Sequence, residues 1–237
     1  MRRRVLKSFT ALALACIVLI GGLPSQAFAG TPAPEPVQSK KSWADAAYML
    51  PESLAGEVTV EYDITVNKAS INGVVALSSA GQNVGSWQDA QTALRAHEDG
   101  YFDVRDGGDY GSLATVAYEQ GGTYSVRETV STGASSATYS VWVNGTIIAE
   151  SFLQRAATPA LADVGQIVLI SQTGAEADWE DGEFSLSNIK VNGSPVALSS
   201  KRNIHTEPTT LSVGPGEGYA TPAAALVDAI PGDTIMI

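Results

Sequence analysis

Cysteine and histidine are almost missing from this chain of 237 residues. Cys16 is the single cysteine and lies in the N-terminal leader, while His97 and His205 are the two histidines. A chain without paired cysteines has no disulfide framework and no thiolate zinc site. The two histidines lie far apart in polar surroundings, with no nucleophile–base set beside them. The sequence therefore gives no support for nucleophilic or zinc-dependent catalysis.

Basic residues are also scarce, with 14 Lys and Arg against 25 Asp and Glu, and the formal charge is −11. Four of the basic residues lie in the leader, so its removal changes the formal charge to −15. Such a surface repels nucleic acid and anionic lipid. We therefore expect neither partner, and an acidic polysaccharide would need calcium or a local basic site to bind.

Residues 1–29 have the pattern of an export signal. A charged start, Arg2 to Lys7, precedes an apolar run over residues 9–23. That run is too short for a spanning helix, and Ala27-Phe28-Ala29 supplies a small-x-small cleavage pattern. We expect a secreted, extracellular protein with no membrane attachment after cleavage. The arginines leave the twin-arginine export route open beside the ordinary secretory one.

A proline-rich tether is expected at 30–42, and a folded domain at 43–197. Residues 58–66 alternate between apolar and polar side chains, as a half-buried strand does. Asn144-Gly145 lies between two alternating runs and predicts a two-residue hairpin turn. Repeated short strands without helical periodicity predict an antiparallel β-sandwich. The predicted strands cover 58–66, 74–77, 94–97, 101–105, 124–130, 138–143, 146–152, 165–171 and 183–191.

Four segments carry a resemblance to a known fold. Residues 124–130, 139–145, 148–149 and 182–189 resemble the concanavalin A-like, laminin-G-like jelly rolls of extracellular bacterial proteins. The resemblance implies an all-β jelly-roll domain over 43–197 and says little about its ligand.

The C-terminal segment 210–237, after a linker at 198–209, has a different pattern. Thr221 can cap a short helix that starts at Pro222, and Pro231-Gly232 ends it before a new strand. The order of residues resembles the N-terminal cap of the pectate-lyase-like, right-handed parallel β-helix superfamily, although Pro222 replaces the usual aliphatic residue. The matching positions are Gly218, Tyr219, Thr221, Ala225, Leu226, Ala229, Pro231, Gly232, Asp233, Thr234 and Ile235.

This second resemblance implies the start of a solenoid, in which one coil cannot bury its apolar face alone. We expect the N-terminal portion of an exported polysaccharide lyase of the pectate type, with catalytic residues beyond Ile237 and no activity in the portion given. The family's chemistry is β-elimination assisted by calcium. A glycoside hydrolase on the same solenoid, a non-catalytic adhesin, and a helix–strand appendage docked on the sandwich are the alternatives.

Aromatic residues are the candidates for sugar binding. Trp142 lies on the strand face opposite Val141 and Val143, so we expect its indole outside the core as a platform for a pyranose ring. Packing against a neighbouring segment is the alternative reading. Further candidates, for which packing is the favoured reading, are Trp87, Trp179 and Tyr101.

An acidic run surrounds Trp179. Asp178, Glu180 and Asp181 supply hard oxygen ligands that could hold a structural calcium ion. The run lacks the order of an EF-hand, and a solvated loop is the alternative.

The expected binding partner is a polysaccharide. We also predict that the protein is a monomer.

Overall fold

The computed structural model describes residues 34–133, 137–155, 160–172, 178–200, 208–214, 222, 225–226, 229 and 231–237. The predicted signal at 1–29 lies outside these residues. In the described part of the chain, no helix has the length and apolarity needed to cross a bilayer. The strands are β1 (Val37–Gln38), β2 (Ala47–Leu54), β3 (Glu57–Val66), β4 (Gly73–Ser78), β5 (Leu94–His97), β6 (Tyr101–Asp106), β7 (Asp109–Ala117), β8 (Thr123–Ser131), β9 (Thr138–Val143), β10 (Thr146–Leu153), β11 (Val164–Ser171), β12 (Phe184–Val191), β13 (Ser194–Pro195), β14 (Ser199–Ser200), β15 (Thr210–Ser212) and β16 (Thr234–Met236), and a short 3-10 helix covers Trp43–Asp45.

Two antiparallel sheets form a β-sandwich. The first, which we call the front sheet, has the strand order β1-β12-β3-β8-β9-β10, with β13 beside β12. The second, the back sheet, has the order β14-β2-β11-β4-β5-β6-β7. The prediction of an all-β, antiparallel sandwich is confirmed, and the arrangement is consistent with a jelly roll.

Side-chain alternation decides which face of each front-sheet strand is buried. In β3, Val58, Val60 and Tyr62 point into the core, while Glu61 and Asp63 remain partly exposed. The same period holds in β8 and β9, so the outer face of the front sheet is polar and reaches solvent.

The centre of the back sheet is covered on both faces. All eight residues of β11 are buried between β2 and β4, as expected for a central strand. On the outer face of this sheet, Val74 and Ile170 belong to a second apolar cluster. Trp43, Trp87 and Tyr110 pack against that cluster. Because aromatic residues already occupy part of the back face, the front sheet offers the larger open polar surface.

Local backbone geometry shapes the front sheet. Asn144 and Gly145 have φ values of 49° and 76°, as a hairpin with two residues in the left-handed region requires. Asn188 in β12 has a φ of 52°, where the pairing register with β3 shifts. This bulge places an asparagine side chain on the outer face beside β3.

Both connectors contact the sandwich. Val37, inside the segment expected to be a tether, pairs with Leu186 of β12. After β12, β13 pairs with β12 while β14 pairs with β2, so the connector crosses from the front to the back sheet. Val196 and Leu198 pack against the core during this crossing.

The C-terminal strands β15 and β16 pair in parallel and form a two-stranded sheet. Leu211, Val213 and Ala225 form a small apolar cluster, whereas Leu226 is 63% exposed. Thr221, the predicted helix cap, lies outside the described residues. A single parallel pair is not a stack of coils, and the β-helix stays a prediction.

Candidate functional site

Four side chains form a straight row across the outer face of the front sheet. Lys190 of β12 lies opposite Glu61 of β3, which lies opposite Arg127 of β8. Arg127 in turn lies opposite Trp142 of β9. Because each pair is directly opposed, the row runs perpendicular to the strands. We call Lys190, Glu61, Arg127 and Trp142 the cross-strand row.

Arg127 and Trp142 are stacked at one end of this row. The guanidinium carbon of Arg127 lies 4.0 Å from the centroid of the Trp142 ring. Arg127 is exposed and Trp142 is half-buried. Trp142 is therefore on the outer face, where the alternation placed it, but a planar cation covers one side of its ring. The two side chains form one stacked cation–π pair at this end of the row.

Two adjoining cavities lie over the row. One has a volume of about 660 Å³, with Lys190 in its lining and with walls from residues 34–37 and 195–198. The other has a volume of about 310 Å³ and is lined by Arg127 and Trp142. Glu61 and Ser125 line both cavities. We call the continuous depression the front groove.

Polar side chains are fixed in the floor of the front groove. The Asn188 side-chain amide donates a hydrogen bond of 2.7 Å to Asp63 Oδ2. At the opposite end, the backbone N–H of Ser125, a lining residue, donates a hydrogen bond of 2.9 Å to Asn144 Oδ1, beside the groove. Their positions on strands and a tight turn restrict their movement, so the groove presents hydrogen-bonding groups at set spacings.

Acids outnumber bases by one in the lining of the front groove. Glu35, Glu61 and Asp63 supply three acids, and Arg127 and Lys190 supply two bases. Glu61 lies between the two bases in the cross-strand row. The groove thus has a small excess of acid, in a chain whose overall formal charge is strongly negative.

Trp87 and Tyr101 lie outside the front groove and make packing contacts. The Trp87 ring meets the Trp43 ring edge-on, with centroids 5.3 Å apart and an interplanar angle of 84°. Tyr101 stacks on His97, with centroids 4.8 Å apart. A role of either ring in sugar binding stays a prediction.

The acidic run near Trp179 is paired with lysines. Asp181 accepts hydrogen bonds from the Lys41 backbone N–H at 3.0 Å and the Lys40 ammonium at 3.2 Å. These bonds lower the pKa of Asp181, and the bond to Asp181 raises the pKa of Lys40. Glu180 lies 3.9 Å from Lys68. The described residues contain no cluster of three potential metal ligands, and calcium at Asp178, Glu180 and Asp181 stays a prediction.

Sequence reasoning found Trp142 but missed its three partners in the row. Glu61, Arg127 and Lys190 lie in three different strands, and only the pairing register aligns them. The alternation of residues 58–66 did place Glu61 on the polar face of its strand. No signal in the sequence gives the register between β3 and β12, which contains a bulge.

Comparisons with known proteins give distant structural neighbours. No protein-family model and no curated protein matches the chain. A sialidase has 19% identity and a TM-score of 0.45 over 65% of this chain, which spans 15% of the sialidase. A galectin from Caenorhabditis elegans has 18% identity and a TM-score of 0.37, covering 68% of this chain and 93% of the galectin. An alginate lyase of polysaccharide lyase family 7 has 15% identity, a TM-score of 0.40 and 62% coverage of each chain.

The three neighbours are thus a sialidase, a galectin and an alginate lyase. Their TM-scores lie below 0.5, and the fold assignment rests on the strand pairing given above rather than on the neighbours.

Proposed function

We propose that the sandwich is a carbohydrate-binding module of an exported protein and binds a glycan chain along the cross-strand row. The observation that carries this proposal is the alignment of a stacked Trp142–Arg127 pair with Glu61 and Lys190 beneath two adjoining cavities. Flat apolar surface beside fixed polar groups suits sugar rings, whose faces are apolar and whose edges carry hydroxyl groups.

The length of the row supports a ligand larger than one sugar. From β9 to β12 there are three steps between neighbouring strands, or about 14 Å at the usual strand spacing. In this proposal one ring stacks at Trp142, and the next rings meet Glu61, Asp63 and Lys190. The strand positions hold these groups in place before binding, which lowers the entropy lost on association.

The excess of acid in the groove lining supports a glycan that is not strongly acidic. The two bases of the row are outnumbered by Glu35, Glu61 and Asp63, so the groove does not attract polyanions. Recognition then depends on stacking and on hydrogen bonds to hydroxyl groups. The same excess of acid disfavours nucleic acid as a ligand.

A binding screen with matched variants tests this function. The folded protein is incubated with insoluble cellulose, xylan and pectin, and then titrated with soluble hexasaccharides of the glycan that retains it. Trp142→Ala removes the stacking surface, and we expect its affinity to fall at least about tenfold. Thr65→Ala, on the same outer face but outside the groove lining, is the control and should bind normally. Equal retention of both variants on every glycan that the parent binds contradicts the proposal.

A separate observation supports a second proposal, for residues 208–237. We infer that this unit is the first coil of a right-handed parallel β-helix of the pectate-lyase-like kind. What supports it is the parallel pairing of β15 with β16 around a stretch with helical residues, including Ala225 and Leu226. Exposed Leu226, Met236 and Ile237 would be covered by the next coil.

In this second proposal β-elimination belongs to the solenoid, and the sandwich binds the glycan of the first proposal rather than the acidic substrate. A cap exchange tests it: residues 208–237 replace the N-terminal cap of a characterised parallel β-helix protein. We expect a soluble, cooperatively folded chimera, and expect the Leu211→Asp chimera, with a charge in the buried cluster, to aggregate. An unfolded chimera with the unaltered segment contradicts the proposal. Release of unsaturated uronides by residues 30–237 alone would contradict the assignment of catalysis to the solenoid.

A further inference from the structure

A second pocket lies at the 3-10 helix, and its lining shares no residue with the front groove. Its volume is about 480 Å³. We call it the tryptophan pocket because two indoles contribute to its wall. Its lining residues are Lys41, Ser42, Trp43, Ala44, Gln172 and Trp179.

The wall that contains Trp43 is held in place before any ligand binds. Trp43 packs on the outer apolar cluster of the back sheet and meets Trp87 edge-on at 5.3 Å. The chain just before it is anchored, since the Lys40 N–H donates a 3.0 Å hydrogen bond to the Leu169 carbonyl. Asp181 holds the next residue through its backbone N–H. This wall of the pocket is therefore held in place by the sheet and by Asp181.

Gln172 gives this pocket a polar side chain. That side chain is about nine-tenths buried and lines the pocket. Its amide carries two N–H donors and one acceptor oxygen, so it can exchange hydrogen bonds with a ligand in the pocket.

We propose that the tryptophan pocket is a second carbohydrate site, which takes one pyranose ring of a glycan. Trp43 and Trp179 provide apolar surface for the ring, and the Gln172 amide exchanges hydrogen bonds with its hydroxyl groups. The Lys41 ammonium, at the exposed rim, donates to an outer hydroxyl and disfavours a cationic ligand. Two sites on one sandwich increase retention on a polymeric glycan through avidity.

Indole N–H resonances separate this site from the front groove in one experiment. The chain has four tryptophans, so a ¹H–¹⁵N spectrum gives four assignable indole signals. The Trp142→Ala protein is titrated with cellohexaose, xylohexaose and hexagalacturonate, which leaves the front groove disabled. We expect the Trp43 and Trp179 signals to shift in a saturable way with at least one of the three.

Paired variants then test the amide. Gln172→Ala should weaken this binding about tenfold, whereas Gln120→Ala, an exposed glutamine outside the pocket lining, should leave it unchanged. Trp179→Ala provides a second pocket variant should Gln172→Ala misfold, and it should weaken binding to a similar degree.

Three results would overturn the second site. The first is that the Trp43 and Trp179 indole signals do not shift with any of the three hexasaccharides. The second is that Gln172→Ala binds the glycan with the same affinity as its parent. The third is that the indole signals shift with protein concentration in the absence of glycan. The last result would identify self-association instead. Failure of the front groove is seen separately, as a static Trp142 signal in the unaltered protein.

Discussion

Tyr62 donates a hydrogen bond of 2.5 Å to Glu128 in the interior of the sandwich. Glu128 is on the inner face of β8, next to Arg127 of the outer face, and is fully buried. Its second oxygen, Oε2, has no hydrogen-bond partner in the described part of the chain. Burial without a cation raises the pKa of Glu128 from 4.5 to about 7, although the bond from Tyr62 opposes this rise.

This carboxyl makes stability depend on pH. Because its folded-state pKa is the higher one, the folded protein binds the proton more tightly than the unfolded chain. The contribution of Glu128 to stability is therefore fully present below pH 4.5, the pKa of the carboxyl in the unfolded chain. It is lost as the pH rises to about 7, and the loss is about 3 kcal/mol in the free energy of unfolding for this group alone.

The test is urea unfolding of the parent and of Glu128→Gln between pH 4.5 and 8. The parent should lose stability from Glu128 as pH rises, and the glutamine variant should lack that contribution and be the more stable of the two at pH 8. Parallel pH profiles for the two proteins would show that Glu128 is not protonated in the fold.

Gly165 at the start of the central strand β11 has no room for a side chain. A Cβ at this position would lie 2.4 Å from the Ala80 Cβ and 2.7 Å from its backbone atoms. Gly165→Ala should therefore destabilise the protein by about 1–3 kcal/mol, measured as a lower midpoint of unfolding. Gly81→Ala is the matched control, because a Cβ there meets no atom within 4 Å. Equal midpoints of unfolding for the two variants would mean that the segments containing Gly165 and Ala80 can move apart with little loss of stability.

Arg127 contributes a planar surface as well as a charge. Arg127→Lys keeps the charge and loses the flat guanidinium over Trp142. We expect glycan affinity to fall about fivefold, as the loss of about 1 kcal/mol of stacking implies. Isothermal titration of the parent and the lysine variant measures this difference. Unchanged affinity would show that charge alone accounts for the role of Arg127.

Salt dependence tests whether recognition rests on stacking and hydrogen bonds. Affinity for a neutral hexasaccharide should change less than about twofold between 0.1 and 1 M NaCl, because the Debye length falls from about 10 to about 3 Å but the ligand carries no charge to screen. Titration at the two salt concentrations measures it. A steep decrease in affinity would indicate an electrostatic mode of binding.

The sequence predicted most of the core strands because their alternation is regular. Residues 58–66 and 165–171, for example, coincide closely with β3 and β11. It missed β7, an edge strand in which Gly111 and exposed Leu113 interrupt the pattern. An edge strand buries little side-chain surface, so its residues keep only a weak two-residue period.

The candidate sites were less predictable than the fold. Glu128 shares the inward face of Val126 and Val130, and the alternation alone would have assigned an apolar residue there. The alignment of the cross-strand row depends on long-range register, which single strands do not encode. Gln172 was likewise invisible, because its burial results from packing between segments distant in the sequence.

Chemical-shift mapping on the unaltered protein tests the central claim most directly. A saturating hexasaccharide from the screen is added to ¹⁵N-labelled protein, and shifts are recorded for the Trp142 indole, the Arg127 guanidinium and the Glu61 and Lys190 amides. We predict that these four residues shift together with one affinity. A glycan that binds tightly while all four remain unshifted would contradict the cross-strand row as the binding site.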